Sequence, residues 1–100
     1  MKPYEFHPEA LDDAIEARAF LERQQPGLGS AFDQEVTAAI QLIRSHPLLY
    51  PVERGRVRRC LLKRFRYSIL FADLPGRIWI AAVAHHKRRP DYWHHRRPTP

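Results

Sequence analysis

The chain has 100 residues, 44% of them hydrophobic, and 17 lysines and arginines against 11 acids give a formal charge of +6. That length predicts one domain over residues 1–100, with a core but little room for a deep cleft, and the apolar content excludes a disordered chain. No apolar run nears the roughly 18 residues of a membrane span, the start Met1-Lys2-Pro3-Tyr4-Glu5 lacks the apolar stretch of a secretory leader, and the single cysteine, Cys60, fits a reducing cytoplasm, the expected location.

Residues 3–7 read as a short edge strand. Pro8 opens the first helix, since proline suits a first helical turn. Asp12, Asp13 and Glu16 lie near that N-terminus, where the helix dipole favours negative charge, and read as dipole and solubility residues rather than catalytic carboxylates. Ala10, Ala14, Ala17 and Leu21 share one face, and Pro26-Gly27 breaks the pattern. In the second helix Phe32, Val36, Ala39, Ile40 and Ile43 fall within about 100° of arc. His46-Pro47 ends it, because the residue before proline is pushed out of the α region, and 47–51 is a stiff connector.

The second half is strand-like. Val57 to Leu62 is its first run. Phe65, Tyr67, Ile69 and Phe71 alternate with Arg64, Arg66, Ser68 and Leu70, which puts one aromatic face on the helices and both arginines on the other. Asp73-Leu74-Pro75-Gly76 is a turn, in a hairpin loop of four or five residues. Ile78 to Ala84 is apolar throughout and reads as a central strand covered on both faces. The predicted order is β-α-α-β-β-β, an α+β fold with a two-helix hairpin on one face of a mainly antiparallel sheet.

Charge is unevenly spread. Residues 1–50 carry a net of −4 and residues 51–100 a net of +10, and four of the six histidines fall in the last sixteen residues. This points to a polyanion partner, either nucleic acid or an acidic protein segment.

The tract Ala84 to Arg97, within a basic C-terminal tail over 85–100, holds His85, His86, Lys87, Arg88, Arg89, Tyr92 and Trp93. Arginine and lysine contact phosphates, and Tyr and Trp stack on exposed bases. RNA cleavage at a 2′-hydroxyl needs a base, an acid and a cation for the phosphorane, so the composition permits a small ribonuclease without cofactor or metal. The plainer alternatives are that 90–93 is a turn packing its aromatics on the sheet, that His85 is a structural histidine, and that His94-His95-Arg96-Arg97 is a solvated tail. Adjacent histidines point apart and no cysteine lies near them, so no metal site is expected. Arg56, Arg58, Arg59, Lys63, Arg64 and Arg66 form a second basic cluster, expected to meet something negative, and Cys60 reads as a packed thiol.

The stretch Val57-Arg58-Arg59-Cys60-Leu61-Leu62-Lys63-Arg64-Phe65-Arg66-Tyr67-Ser68-Ile69-Leu70-Phe71, then Ile80 to His85, then Arg88-Arg89-Pro90-Asp91-Tyr92-Trp93, closely resembles the RelE/ParE family, toxins of bacterial type II toxin–antitoxin pairs. The resemblance covers essentially the whole chain. It implies helices on a curved sheet, a cognate antitoxin whose acidic, flexible C-terminal segment wraps the toxin, and promoter DNA bound only through the antitoxin complex. Two activities then stay open. RelE-like members cut mRNA on the ribosome; in that case Arg59, Lys63 and Arg88 would hold phosphate while His85 or Tyr92 acts as base or acid. ParE-like members inhibit DNA gyrase without hydrolytic chemistry, and the same cluster would be a protein interface. Arg58, Arg64, Arg66, His86, Lys87, Arg89 and Trp93 are the expected nucleic-acid or target contacts under either. A remnant that only binds its antitoxin is the third alternative.

Overall fold

In chain order the elements are β1 (Tyr4–Phe6), α1 (Pro8–Gln24), α2 (Leu28–Ser45), a single 3-10 turn (Pro47–Leu49), β2 (Val52–Arg54), β3 (Val57–Leu61), β4 (Tyr67–Leu74) and β5 (Arg77–His85), in a computed structural model that describes residues 1–100. The sheet runs β1-β5-β4-β3-β2. β1 pairs parallel with β5 and every other pair is antiparallel, so the fold is α+β with a five-stranded mixed sheet.

Local chemistry sets the helix ends. Pro8 occupies the first turn of α1, and the His7 Nδ1 accepts the Glu9 amide there. The two helices meet at Gly27, whose φ of +96° suits glycine. Gly27 has no side chain to cap α2, and the Glu22 carboxylate does so instead, accepting from the amides of Gly27 and Gly29. Those hydrogen bonds hold the Glu22 carboxyl below its ordinary pKa.

Both faces of the sheet are buried. On one, Phe32, Ile40 and Ile43 of α2 and Ala10 and Ala17 of α1 pack against Tyr67, Ile69, Phe71, Ile78 and Ile80. On the other, Leu70, Ala72, Leu74, Trp79, Ala81 and Ala82 lie with Trp93 of the C-terminal segment. The change of phase within β5 comes from a bulge: Phe71 pairs with Ile80 and Leu70 with Ala82, leaving Ala81 unmatched. Beyond it Val83 rather than Ala82 joins the helix side, so the bulge decides which way the functional end of β5 presents its residues.

Several expectations change. A short β2 precedes β3, which ends at Leu61. The β4–β5 loop is only Pro75-Gly76, with Gly76 at φ +80°, a tighter turn than a four- or five-residue loop. Arg64 and Arg66 lie in the loop before β4 rather than on a strand face. The sheet's second face is apolar and covered, not a solvated basic surface.

Candidate functional site

The C-terminal segment returns across the sheet through successive turns, Tyr92 N–H to the Arg89 carbonyl, His94 to Asp91 and Arg96 to Trp93. An ion pair fastens it to α1. Arg96 donates through Nη1 to Asp13 Oδ2 at 2.7 Å and through Nη2 to Oδ1 at 3.3 Å, and both side chains are under a tenth exposed. Asp13 Oδ2 also accepts the Tyr92 hydroxyl at 3.0 Å and the Val83 amide at 3.2 Å. Arg96 in turn donates to the Ala81 carbonyl at the bulge. The buried carboxylate thereby joins helix, bulge and C-terminal segment. Asp13 is thus not a solubility residue, and 94–97 is docked through Arg96 rather than a free tail, with His95 and Arg97 still exposed. A pair taken out of water needs this many hydrogen bonds to offset its desolvation.

Between that segment and β3–β5 runs a groove of about 250 Å³. Arg59, His85, His86, Arg88, Arg89, Tyr92 and Trp93 line it, together with Glu53 and Ser68. A neighbouring depression of about 180 Å³ shares His85 and Arg88 and is walled by Asp13, Glu16 and Phe20 of α1. Of the residues singled out from sequence, Arg58 is not in the groove: its Nη1 donates to the Tyr50 carbonyl at 2.7 Å. Lys63, Arg64 and Arg66 stand just outside it on the 62–66 loop. That loop is tied down twice. Glu35 of α2 accepts from the Lys63 and Arg64 amides, and the Arg66 carbonyl accepts the His86 amide.

The chemistry of each groove residue follows from its neighbours. The Tyr92 hydroxyl is pushed far above its ordinary pKa by burial and by Asp13, so it stays a donor to that carboxylate. Its ring carries the Arg88 guanidinium 3.8 Å from the centroid, a cation–π contact. His85 stacks edge-on to Tyr67 with centroids 4.9 Å apart, and its Nδ1 accepts the Lys87 amide. Burial lowers its pKa first, and the positive charges of His86, Lys87 and Arg66 lower it further, so the ring is neutral at pH 7. His86 Nε2 meets Ser68 Oγ at 3.0 Å. Arg59 reaches Glu53 and Arg89 reaches Asp91, each at 3.5 Å. Trp93 is buried, and its Nε1 has no hydrogen-bond partner. No three His, Cys, Asp or Glu side chains converge as a metal site would require.

Sequence reasoning missed Asp13, Arg96, Glu35 and Ser68. Asp13 did carry a signal: with Ala10 and Ala17 it lies on the small-residue face of α1 that packs on the sheet, where an unpaired acid would not be tolerated. Arg96 carried none, because only the return of the segment over the sheet buries it.

The family model described as the ParE toxin of the type II toxin–antitoxin system, parDE, matches residues 4–90. No curated protein sequence matches the chain. A solved structure from the chromosomal ParDE TA system of P. aeruginosa has the same fold, with a TM-score of 0.75 at 17% identity over 85% of this chain and 96% of that one. The chain belongs to the ParE toxin family.

Proposed function

We propose that this ParE-family chain inhibits growth by binding DNA gyrase rather than by cutting mRNA, and that a cognate antitoxin holds it inactive. One observation carries the reading: the Tyr92 hydroxyl, the groove's candidate proton donor, is engaged by the buried Asp13 carboxylate and held neutral. His85 is neutral and its Nδ1 is taken by the Lys87 amide, while His86 is engaged with Ser68. The groove therefore offers cations and shape without a free acid matched to a free base. The antitoxin's acidic segment would lie on the basic half of the chain, and promoter DNA would be bound through the antitoxin complex.

The test uses purified chain in a gyrase supercoiling and cleavage assay beside a translation extract. The proposal expects inhibited supercoiling, intact message, and retained inhibition by Tyr92→Phe. An interferase using Tyr92 as acid or base would instead lose about 10²–10⁴-fold on that substitution. Message cleavage with normal supercoiling overturns the proposal.

A further inference from the structure

One end of the sheet gathers cations that no carboxylate neutralises. Lys63, Arg64 and Arg66 come from the 62–66 loop, and Lys87 and Arg88 from the segment after β5. All five are exposed, and none of their charged side-chain nitrogens lies within 4.0 Å of an acidic oxygen. The loop and segment are joined by the hydrogen bond from the His86 amide to the Arg66 carbonyl. Glu35 fixes the loop through its backbone amides and leaves the lysine and arginine side chains free. Arg88 rests on the Tyr92 ring. Like charges held this closely repel one another, so an arrangement anchored from behind by a carboxylate on the backbone is suited to an external polyanion.

We infer that this cationic end binds the phosphate backbone of duplex DNA directly. The choice of polyanion follows from what the surface lacks. Single-stranded RNA is held by stacking two or three bases on exposed rings. Here Phe65, Tyr67 and Trp93 are buried, and Arg88 covers Tyr92. Phe20 alone is half exposed, on the α1 side of Arg88, which is one ring short of a platform. A protein partner would want a cluster of apolar or aromatic residues at the centre of the interface. Leu61 is the only exposed large apolar side chain in the groove. Exposed cations with withdrawn rings match the polar, positively charged surfaces that contact duplex phosphates. For its setting the inference rests on the gyrase reading, since gyrase works on DNA, and it places the toxin against the DNA as well as the enzyme.

The experiment is fluorescence anisotropy of the purified chain with a 20-base-pair duplex, the matching single-stranded RNA and a poly-glutamate peptide, across a salt series. Five phosphate contacts give a slope of log K against log salt of about −4.5, or a loss of about 500-fold between 50 and 200 mM salt. Arg64→Gln/Arg66→Gln/Lys87→Gln reduces the slope by about 2.7, while Arg56→Gln, at the opposite end of the strands, leaves it unchanged. Tighter binding of RNA or poly-glutamate than of duplex overturns the inference, as does a slope indifferent to the triple substitution. If the triple variant does not fold, the ranking of the three probes by the unaltered chain still decides. Gyrase inhibition without DNA binding defeats this inference and spares the gyrase reading; DNA binding without gyrase inhibition does the reverse.

Discussion

Arg96→Met removes the cation from the Asp13 pair while keeping most of its aliphatic length. Both partners are under a tenth exposed, so the substitution strands a carboxylate that water cannot reach. Breaking such a pair costs about 3–5 kcal/mol. Asp13 keeps the Tyr92 hydroxyl and the Val83 amide, which places Arg96→Met near 3 kcal/mol, the lower end of that range. Asp13→Leu strands more, namely the Arg96 guanidinium, the Tyr92 hydroxyl and the Val83 amide together, and falls near the upper end, about 5 kcal/mol. In a domain of this size each kcal/mol lowers Tm by about 4–8 °C, so Arg96→Met melts roughly 12–24 °C lower. The double variant exposes no lone charge and loses at least about 2 kcal/mol less than the two single losses summed. Urea unfolding followed by tryptophan fluorescence reads this, since Trp79 and Trp93 are both buried. A loss under about 1 kcal/mol for Arg96→Met, or strict additivity in the double variant, would refute the claim that this pair fastens the C-terminal segment.

Other consequences are equally open to measurement. Glu35→Ala releases the Lys63 and Arg64 amides; it should cost about 1–2 kcal/mol and speed hydrogen exchange at those two sites ahead of the β4 amides. Gly29→Ala places a Cβ 3.2 Å from the Arg18 carbonyl and 2.9 Å from Glu22 Oε1, displacing the carboxylate that caps α2. A loss of about 1–3 kcal/mol in denaturant titration is expected, and a neutral result would show that the helix joint relaxes freely. The folded His85 titrates below 6.5, so the unfolded chain binds more protons between that folded value and 6.5. Stability from this group is therefore present above pH 6.5 and falls as pH drops through that window; His85→Gln should flatten that part of a melting-temperature profile. Cys60 is buried and burial raises its thiol pKa, so Ellman's reagent should react at the rate of unfolding; rapid labelling of folded protein would contradict the burial of Cys60 in β3.

The fold was legible where periodicity is strict. The α2 stripe of Phe32, Val36, Ile40 and Ile43 and the alternation Phe65-Tyr67-Ile69-Phe71 both became the helix-facing core. Burial of Ile78 to Val83 follows from an unbroken apolar run. The turns were less legible: Pro75-Gly76 closes in two residues because Gly76 accepts a positive φ, and β2 is too short and too exposed to mark itself by pattern. The cluster after β5 was visible from composition, and the groove does gather Arg59, His85, His86, Arg88 and Arg89. Its chemistry was not visible. The state of Tyr92 is set by its burial and then by Asp13, 79 positions away, and the depth of the C-terminal segment by Arg96 against the same carboxylate. The small-residue face of α1 marks Asp13 as a buried acid, but nothing near Arg96 or Tyr92 in the sequence names either as its partner.

The central claim is that this ParE-family chain acts by binding a DNA-bound gyrase and leaves RNA intact. Its most direct test is a pulse induction without antitoxin, with 5′ ends of RNA mapped genome-wide and gyrase–DNA cleavage complexes quantified from the same culture. The account predicts no new 5′ ends in translated messages and an accumulation of cleavage complexes that Arg64→Gln/Arg66→Gln/Lys87→Gln diminishes. New 5′ ends within coding sequences, appearing before any change in supercoiling, would contradict it.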